Sequence, residues 1–395
     1  MSRRRYRIVM VLENGGYPGD TRVCLEATAL VQAGYDVSVI CPGDKKNGNR
    51  WDVVDGVRVY RYPAPRDTGG VVGYVWEYGY SLIVAGAISL SVWLRHGMDA
   101  IHIHMPPDLN GLLGVFYRIL GKKFVMDHHD LSPELFQAQG RRNRVLYRLL
   151  LMFERISCRW AHRLISTNET QRKTQMGRGG AHADTCTVVR NGPADFFFRQ
   201  QHVPVHVGQM SQRLVIGFVG EMGEQDGVEC LIRALHHLRT NRGRSDFMGL
   251  LVGSGRSLES LKKLANELCL QDHVVFTGLV PFHDVPRYIA TFDIGATPDP
   301  SNPYNDSCTT IKTMEYMALG KPVVAFDTAE NRITAEDAAI YVVNNDVVGY
   351  ADALVRLMND AELRARMGTA GRRRIEDELA WKYQRDRLLA VYESL

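Results

Sequence analysis

The stretch TTIKTMEYMALGKPVVAF, Thr309 to Phe326, decides the reading of the fold. Ile311, Met314, Met317 and Ala318 recur at helical spacing and predict a helix with a buried stripe. Gly320 predicts a left-handed stop, and Pro322 stands where no helix continues. Val323, Val324, Ala325 and Phe326 then form a run without a polar residue, the pattern of a strand covered on both faces. Lys312 and Glu315 interrupt this apolar segment one turn apart and share a helix face. As a surface ion pair they would contribute little. At a helix start, where backbone N–H groups favour anions, they also suit a ligand that carries phosphate and sugar hydroxyls.

Working outward, the same strand–helix alternation recurs on both sides. YRIVMVLE, YDVSVICP, GVRVYRYP, DAIHIHMPPD, KKFVMDHHD, HRLISTN and TCTVVRNG read as strands of a front half. A helix from Thr21 follows the first, with Asp20 as its N-cap and Gly34 as its stop. RLVIGFVGEMG starts the pattern again, followed by FMGLLVGSG, HVVFTG and DIGATP. Two doubly wound α/β domains in tandem are expected. They would span residues 1–200 and 201–375, joined near Asp195–Arg213. A last helix over 376–395 is expected to pack back on the front domain. Ligands of such sheets bind at the carboxyl ends of the strands, so a cleft between facing domains is the expected site.

At 395 residues the chain is long for one core. Residues 1–200 hold 27 Lys/Arg against 18 Asp/Glu, and the remainder holds 21 against 26. The basic front half suits an acidic or phosphorylated partner. No zinc-finger spacing, RNA-binding signature or basic zipper points to nucleic acid. Seven cysteines, odd in number and without a CxxC pair, fit reduced thiols in the cytoplasm. The basic N-terminus carries Glu13 within its apolar run and reads as a first strand rather than a signal peptide. Tyr78–Leu94 has 17 residues without a charge and reads as a buried core helix rather than a membrane span.

The motif order resembles the family 4 retaining glycosyltransferases, nucleotide-sugar-dependent enzymes of GT-B fold. The pieces are DTRVCLEATALVQAGYDVSVIC, VMDHHD, VVRNGPADFF, GFVGEMGEQDGVECLIRAL, LLVGSG, VVFTGLV and MEYMALGKPVVA, which together cover nearly the whole chain. The resemblance implies an acceptor-binding front domain and a back domain for the donor, which is expected to be a UDP-sugar. Glu315 matches the second glutamate of the family's E-x7-E motif, which holds the ribose hydroxyls. A carboxylate accepts from two vicinal hydroxyls, and its charge strengthens both bonds. The first glutamate is replaced by Ser307, beside Asp306, so Asp306, Ser307 and the loop through Thr309 and Thr310 are expected to contact the donor. The family's basic pair on the diphosphate is also replaced, by Glu221 and Asp226 after Gly220. Lys312 is then the expected cation, with Arg190 and helix N-termini in support.

His129 matches the histidine that lies against the donor sugar. Gly15 and Gly16 match the glycine loop after the first strand, and Gly253 and Gly255 are turns that also approach the donor. The resemblance implies a front-face transfer in which the leaving phosphate helps deprotonate the acceptor. No cofactor or metal is expected, since neither a DxD-like motif nor a metal-ligand spacing occurs. His102 and His104 alternate on one strand face and read as packed. Seven arginines between Arg141 and Arg163 interleave with Leu149, Leu150, Met152, Phe153 and Ile156 against the single Glu154. This segment reads either as a surface helix or as a peripheral membrane contact at the inner face of the cytoplasmic membrane. The latter would bring a lipid-linked saccharide acceptor, as in surface polysaccharide synthesis. A nucleotide-sugar epimerase of the same fold and an inactive nucleotide-sugar-binding homologue are the alternatives.

Overall fold

A computed structural model of the chain describes residues 5–43, 50–64, 70–199, 201–206 and 213–395. It divides into two compact units: Met1–Asn191 with Gln384–Leu395, and Gly192–Tyr383. The division falls at Asn191/Gly192, ahead of the join read at Asp195–Arg213, part of which lies outside the described residues.

Unit 1 is built on eight strands: β1 (Arg7–Val11), β2 (Asp36–Gly43), β3 (Trp51–Val54), β4 (Val57–Pro63), β5 (Ala100–Met105), β6 (Lys123–His128), β7 (Arg163–Ser166) and β8 (Cys186–Val188). They lie in the order β3-β4-β2-β1-β5-β6-β7-β8. All pairs are parallel except the β3–β4 hairpin, which turns through Asp55 and Gly56 at positive φ. Apolar runs make β1 and β5 buried almost throughout, as a parallel sheet covered on both faces requires. Asp20 caps the Thr21–Gln32 helix by accepting from Val23 N at 3.0 Å, and Gly34 takes φ +92° beyond it.

The apolar Tyr78–Leu94 segment lies inside one long helix, Gly70–His96. Ser81, Ala85, Ser89 and Val92 form its buried stripe, while Ile83, Leu90 and Leu94 are exposed. The expected fully buried helix is therefore half covered. By length and composition Trp76–His96 is apolar enough to cross a membrane, and only 22% of that window is buried. The last helix, Trp381–Glu393, begins five residues later than expected, after a π-turn over Ile375–Leu379. Its Tyr392 reaches the unit 1 core and meets His102 Nδ1 at 2.7 Å.

Unit 2 holds β9 (Leu214–Val219), β10 (Phe247–Val252), β11 (Val274–Gly278), β12 (Ile294–Thr297), β13 (Val323–Phe326) and β14 (Ala339–Val342). They form a parallel sheet in the order β11-β10-β9-β12-β13-β14. The order reverses between β9 and β12, the switch point at which α/β sheets bind ligands. The helix Ile311–Ala318 enters β13 through Gly320, at φ +66°. This helix is covered on nearly every side rather than along one stripe: Thr313 through Ala318 are all buried. Tyr316 fixes its register, accepting from Val219 N at 2.8 Å and lying against Gly295, where a Cβ would come within 2.4 Å of the ring.

Candidate active site

In unit 2 the predicted residues gather at the carboxyl ends of β9, β10 and β12. Lys312 lies in the first turn of the Ile311–Ala318 helix. Its Nζ donates to Asp299 Oδ1 at 2.8 Å and Asp226 Oδ1 at 3.4 Å, and sits 4.8 Å over the Phe218 ring. The surface pair with Glu315 suggested by spacing is not what engages it. Asp226 stands where the family resemblance places a basic residue, and it helps neutralise the lysine expected to replace that residue. Asp226 Oδ2 also accepts from Gly223 N at 3.0 Å, which anchors the loop. Burial pushes the Asp299 carboxyl up, against the pull of Lys312, and its Oδ2 has no hydrogen-bond partner.

Glu315, one turn on, is 6% exposed. Burial pushes its carboxyl up to about 7, with Lys312 acting in the opposite direction. The folded pKa thus lies above the ordinary value of 4.5. The folded state binds the proton more tightly, so this group's stabilisation is complete below pH 4.5 and is lost as pH rises through 7. The span corresponds to on the order of 3 kcal/mol. Glu315→Gln should therefore be more stable than the parent at pH 8 and not at pH 4.5 in urea titrations, while its nucleotide affinity falls. A variant with equal stability at both pH values would contradict the buried carboxylate.

Thr310 precedes this helix, but its Oγ1 donates to Asn331 Oδ1 at 3.0 Å and leaves the first-turn N–H groups without a side-chain cap. Ser307 Oγ donates to Tyr304 O at 2.7 Å, and Asp306 Oδ2 accepts from Ser301 Oγ at 3.0 Å. Asp306 Oδ1 is buried without a hydrogen-bond partner. Thr309 is buried in the same loop. Gly220 and Gly253 are held by close backbone contact: a Cβ on Gly253, at φ +132°, would lie 1.9 Å from Gly220 O. Gly255 likewise leaves room for Met222. These glycines are required by the packing of two loops, whatever else approaches them. Lys312 Cε lies 3.5 Å from where a Gly220 Cβ would stand. Arg256, next to Gly255, acts electrostatically on Glu221 and escaped the sequence reading.

Arg190 belongs to unit 1, where its N–H donates to Gln384 Oε1 at 3.0 Å. His129 also lies in unit 1, just past β6, within a buried polar network. Its Nε2 is 3.0 Å from Asp127 Oδ2 and 3.0 Å from His104 Nδ1. A carboxylate only accepts, so the proton between His129 and Asp127 belongs on Nε2. Arg22 grips Asp127 through Nε at 2.9 Å and Nη2 at 2.8 Å, and reaches Asn191 Oδ1 and Val189 O. Burial alone would push Asp127 up, but Arg22, His129 and His104 hold it well below the usual carboxylate range. Glu26, 3.1 Å from Arg22 Nη2, is pushed well above that range by burial and by Asp127. His102 and His104 stack with centroids 4.3 Å apart.

Arg22 and Asp127 are components that spacing did not single out, although both stand inside quoted motifs, and His104, read as packed from its alternation with His102, joins the same network. Gly15 and Gly16 form a turn after β1, in which Asp20 N donates to Gly16 O at 2.8 Å. Sequence spacing offered no metal-ligand set, but among the described residues the fold assembles two groups from distant positions. They are Glu26, His102, His104 and Asp127, and separately Asp108, His128 and Glu154.

Residues 19–192 match the family described as "Glycosyl transferase 4-like domain", and residues 213–360 match "Glycosyl transferases group 1". A 2-deoxystreptamine glucosyltransferase of Streptomyces kanamyceticus is 25% identical over 86% of this chain and 88% of its own length. A GDP-mannose-dependent alpha-(1-6)-phosphatidylinositol monomannoside mannosyltransferase of Mycolicibacterium smegmatis is 31% identical over 45% of this chain and 47% of its own. Among solved structures, a sucrose-phosphate synthase from Thermosynechococcus elongatus superimposes with a TM-score of 0.83 at 19% identity, over 99% of both chains.

Proposed function

The chain belongs to the family 4 glycosyltransferases of GT-B fold, and from that premise we propose that it is a retaining, metal-independent hexosyltransferase acting from a nucleotide-sugar, a UDP-sugar first. The acceptor is a saccharide or lipid-linked saccharide at the inner face of the cytoplasmic membrane, in surface glycan or polysaccharide synthesis. One observation carries the reading: a buried carboxylate, Glu315, one turn from an uncapped helix start that also bears Lys312. The carboxylate suits the ribose hydroxyls, and the N–H groups and lysine suit the diphosphate. Arg190 adds charge, and Asp306, Ser307, Thr309 and Thr310 line the donor sugar.

In the transfer the bond from the anomeric carbon to the diphosphate oxygen breaks. The acceptor oxygen bonds to that carbon on the same face, and its proton passes to the leaving phosphate. Positive charge on the sugar and negative charge on the phosphate develop together, so preorganised donors act on the transition state. His129, with Nε2 fixed by Asp127, contacts the donor sugar.

Two features support a membrane-borne acceptor. The Arg144–Trp160 helix exposes Val145, Leu149, Met152 and Trp160 among Arg144, Arg148, Arg155 and Arg159. Beside its start a cavity of about 400 Å³ is lined by Arg141, Arg142, Arg144, Phe136 and Tyr147. Guanidinium groups over an apolar floor suit a phosphorylated lipid.

The test is a screen of UDP-, GDP- and ADP-sugars for thermal stabilisation and slow hydrolysis, with vesicles of phosphatidylglycerol or of phosphatidylcholine. One nucleotide-sugar should stabilise and be hydrolysed, and the chain should sediment with the anionic vesicles alone. Failure of every nucleotide-sugar to bind would refute the assignment. The engagement of Lys312 by Asp226 and Asp299 favours a second reading, an inactive homologue, for which binding without hydrolysis is the expected result.

A further inference from the structure

Asp108, His128 and Glu154 meet inside unit 1, on the side of β6 opposite to Asp127 and His129. Asp108 opens the turn Asp108–Asn110 after β5, His128 ends β6, and Glu154 projects from the Arg144–Trp160 helix. Their exposures are 0%, 0% and 1%. His128 Nε2 lies 3.6 Å from Asp108 Oδ1, and one ligand atom from each of the three falls within 4.8 Å of the others. Glu154 is held in place by Arg178, which donates to Oε1 at 2.7 Å and Oε2 at 2.6 Å and also grips Glu134.

This group has unmet polar capacity. Neither carboxylate oxygen of Asp108, neither ring nitrogen of His128 and neither amide atom of Asn110 has a hydrogen-bond partner. Buried polar groups in folded proteins are ordinarily satisfied, and a buried charge more so. Charge is unbalanced as well. Asp108, Glu154 and Glu134 face the guanidinium of Arg178, which leaves an excess of carboxylates beside the His128 ring. A divalent cation would offset it and take up lone pairs of both Asp108 and His128.

We propose that Asp108, His128 and Glu154 bind a divalent first-row transition cation. One imidazole with two carboxylates is a mixed nitrogen and oxygen set, suited to Zn²⁺ or Mn²⁺. The Glu26–His102–His104–Asp127 group is the poorer candidate: Arg22 pairs with both of its carboxylates, whereas Arg178 pairs with Glu154 and leaves both oxygens of Asp108 without a hydrogen-bond partner. The ion ties the β5 turn, the end of β6 and the Arg144–Trp160 helix to one point. It is structural, takes no part in the transfer, and does not depend on the activity assigned above.

The full chain, purified without chelator, is analysed for metal by plasma mass spectrometry. It is then stripped and its unfolding followed with and without added ZnCl₂ or MnCl₂. About one equivalent of metal per chain is expected, as for a closed structural site. The stripped protein should gain thermal stability with either cation. Asp108→Asn and His128→Gln should lose both responses, while Glu26→Gln, in the other group, keeps them. In a Co²⁺-loaded sample, visible bands of nitrogen and oxygen ligation should vanish with His128→Gln. Wild-type protein that neither retains metal nor responds to either salt overturns the proposal, however the variants fold. So does a response that survives both Asp108→Asn and His128→Gln.

Discussion

Replacing Lys312 by methionine is expected to lower the stability of unit 2 by roughly 3–5 kcal/mol, the usual cost of removing one partner from a buried ion cluster. Asp299 and Asp226 are 8% and 14% exposed at the side chain and share the lysine between them. Methionine keeps an apolar stem of similar length but removes the ammonium that lies over Phe218 and leaves both carboxylates uncompensated. Urea unfolding measures the loss. Pairing the change with Asp299→Asn should recover much of it, because one of the stranded charges is then removed. The double variant separates two roles that the single variant confounds. If Lys312 also serves the diphosphate, the folded double variant should bind a nucleotide-sugar roughly 10- to 100-fold more weakly, the worth of one charge-assisted hydrogen bond. Binding equal to wild type would move the diphosphate charge elsewhere, with Arg256 the first residue to test.

That Lys312 is so engaged could not be read from the chain. Spacing on a helix reports neighbours three and four residues away, which is why Glu315 was the partner in view. The actual partners lie 86 and 13 positions distant and arrive from a loop after β9 and the end of β12. The fold itself was legible wherever an apolar run announced a covered strand: β1, β2, β5, β6, β9, β10 and β13 all stand where such runs do. β14 was missed because AIYV is four residues long, largely half-buried and set between polar turns. β3 was missed because Trp51 and Val53 point to solvent and only one neighbour pairs it. The stacked His102 and His104 were read as packed from their alternation, but Tyr392, which closes the stack, comes from the far end of the chain. Likewise His129 was found through a motif, whereas the arginine that fixes its carboxylate partner required the fold to bring β1 and β6 into one sheet.

That arginine supplies the second large expected effect. Arg22→Met should destabilise unit 1 by roughly 3–5 kcal/mol, since it strands the fully buried Asp127. Four anchors are lost together: both oxygens of Asp127, the Asn191 side chain and the Val189 carbonyl. Arg22→Lys should recover only part, because an ammonium cannot reproduce the two parallel bonds to Asp127 while reaching the others. Glu26 adds little to the loss, since burial and Asp127 already favour its protonated form. The pH dependence gives an independent check. In the parent, Asp127 is held well below its ordinary value of 3.8. Its stabilisation is therefore present above that value and lost as pH falls through the depressed folded pKa. In Arg22→Met the orphaned carboxyl escapes its penalty by taking a proton, so the gap between parent and variant should narrow in acid and widen toward neutrality. A gap that stays constant from pH 3 to pH 7 would mean that packing of the side chain, and not its charge, accounts for the loss. If His129 serves the transfer as proposed, turnover should fall along with stability, because an Asp127 without Arg22 no longer holds the proton on His129 Nε2. Adding Asp127→Asn to Arg22→Met should restore folding without restoring turnover.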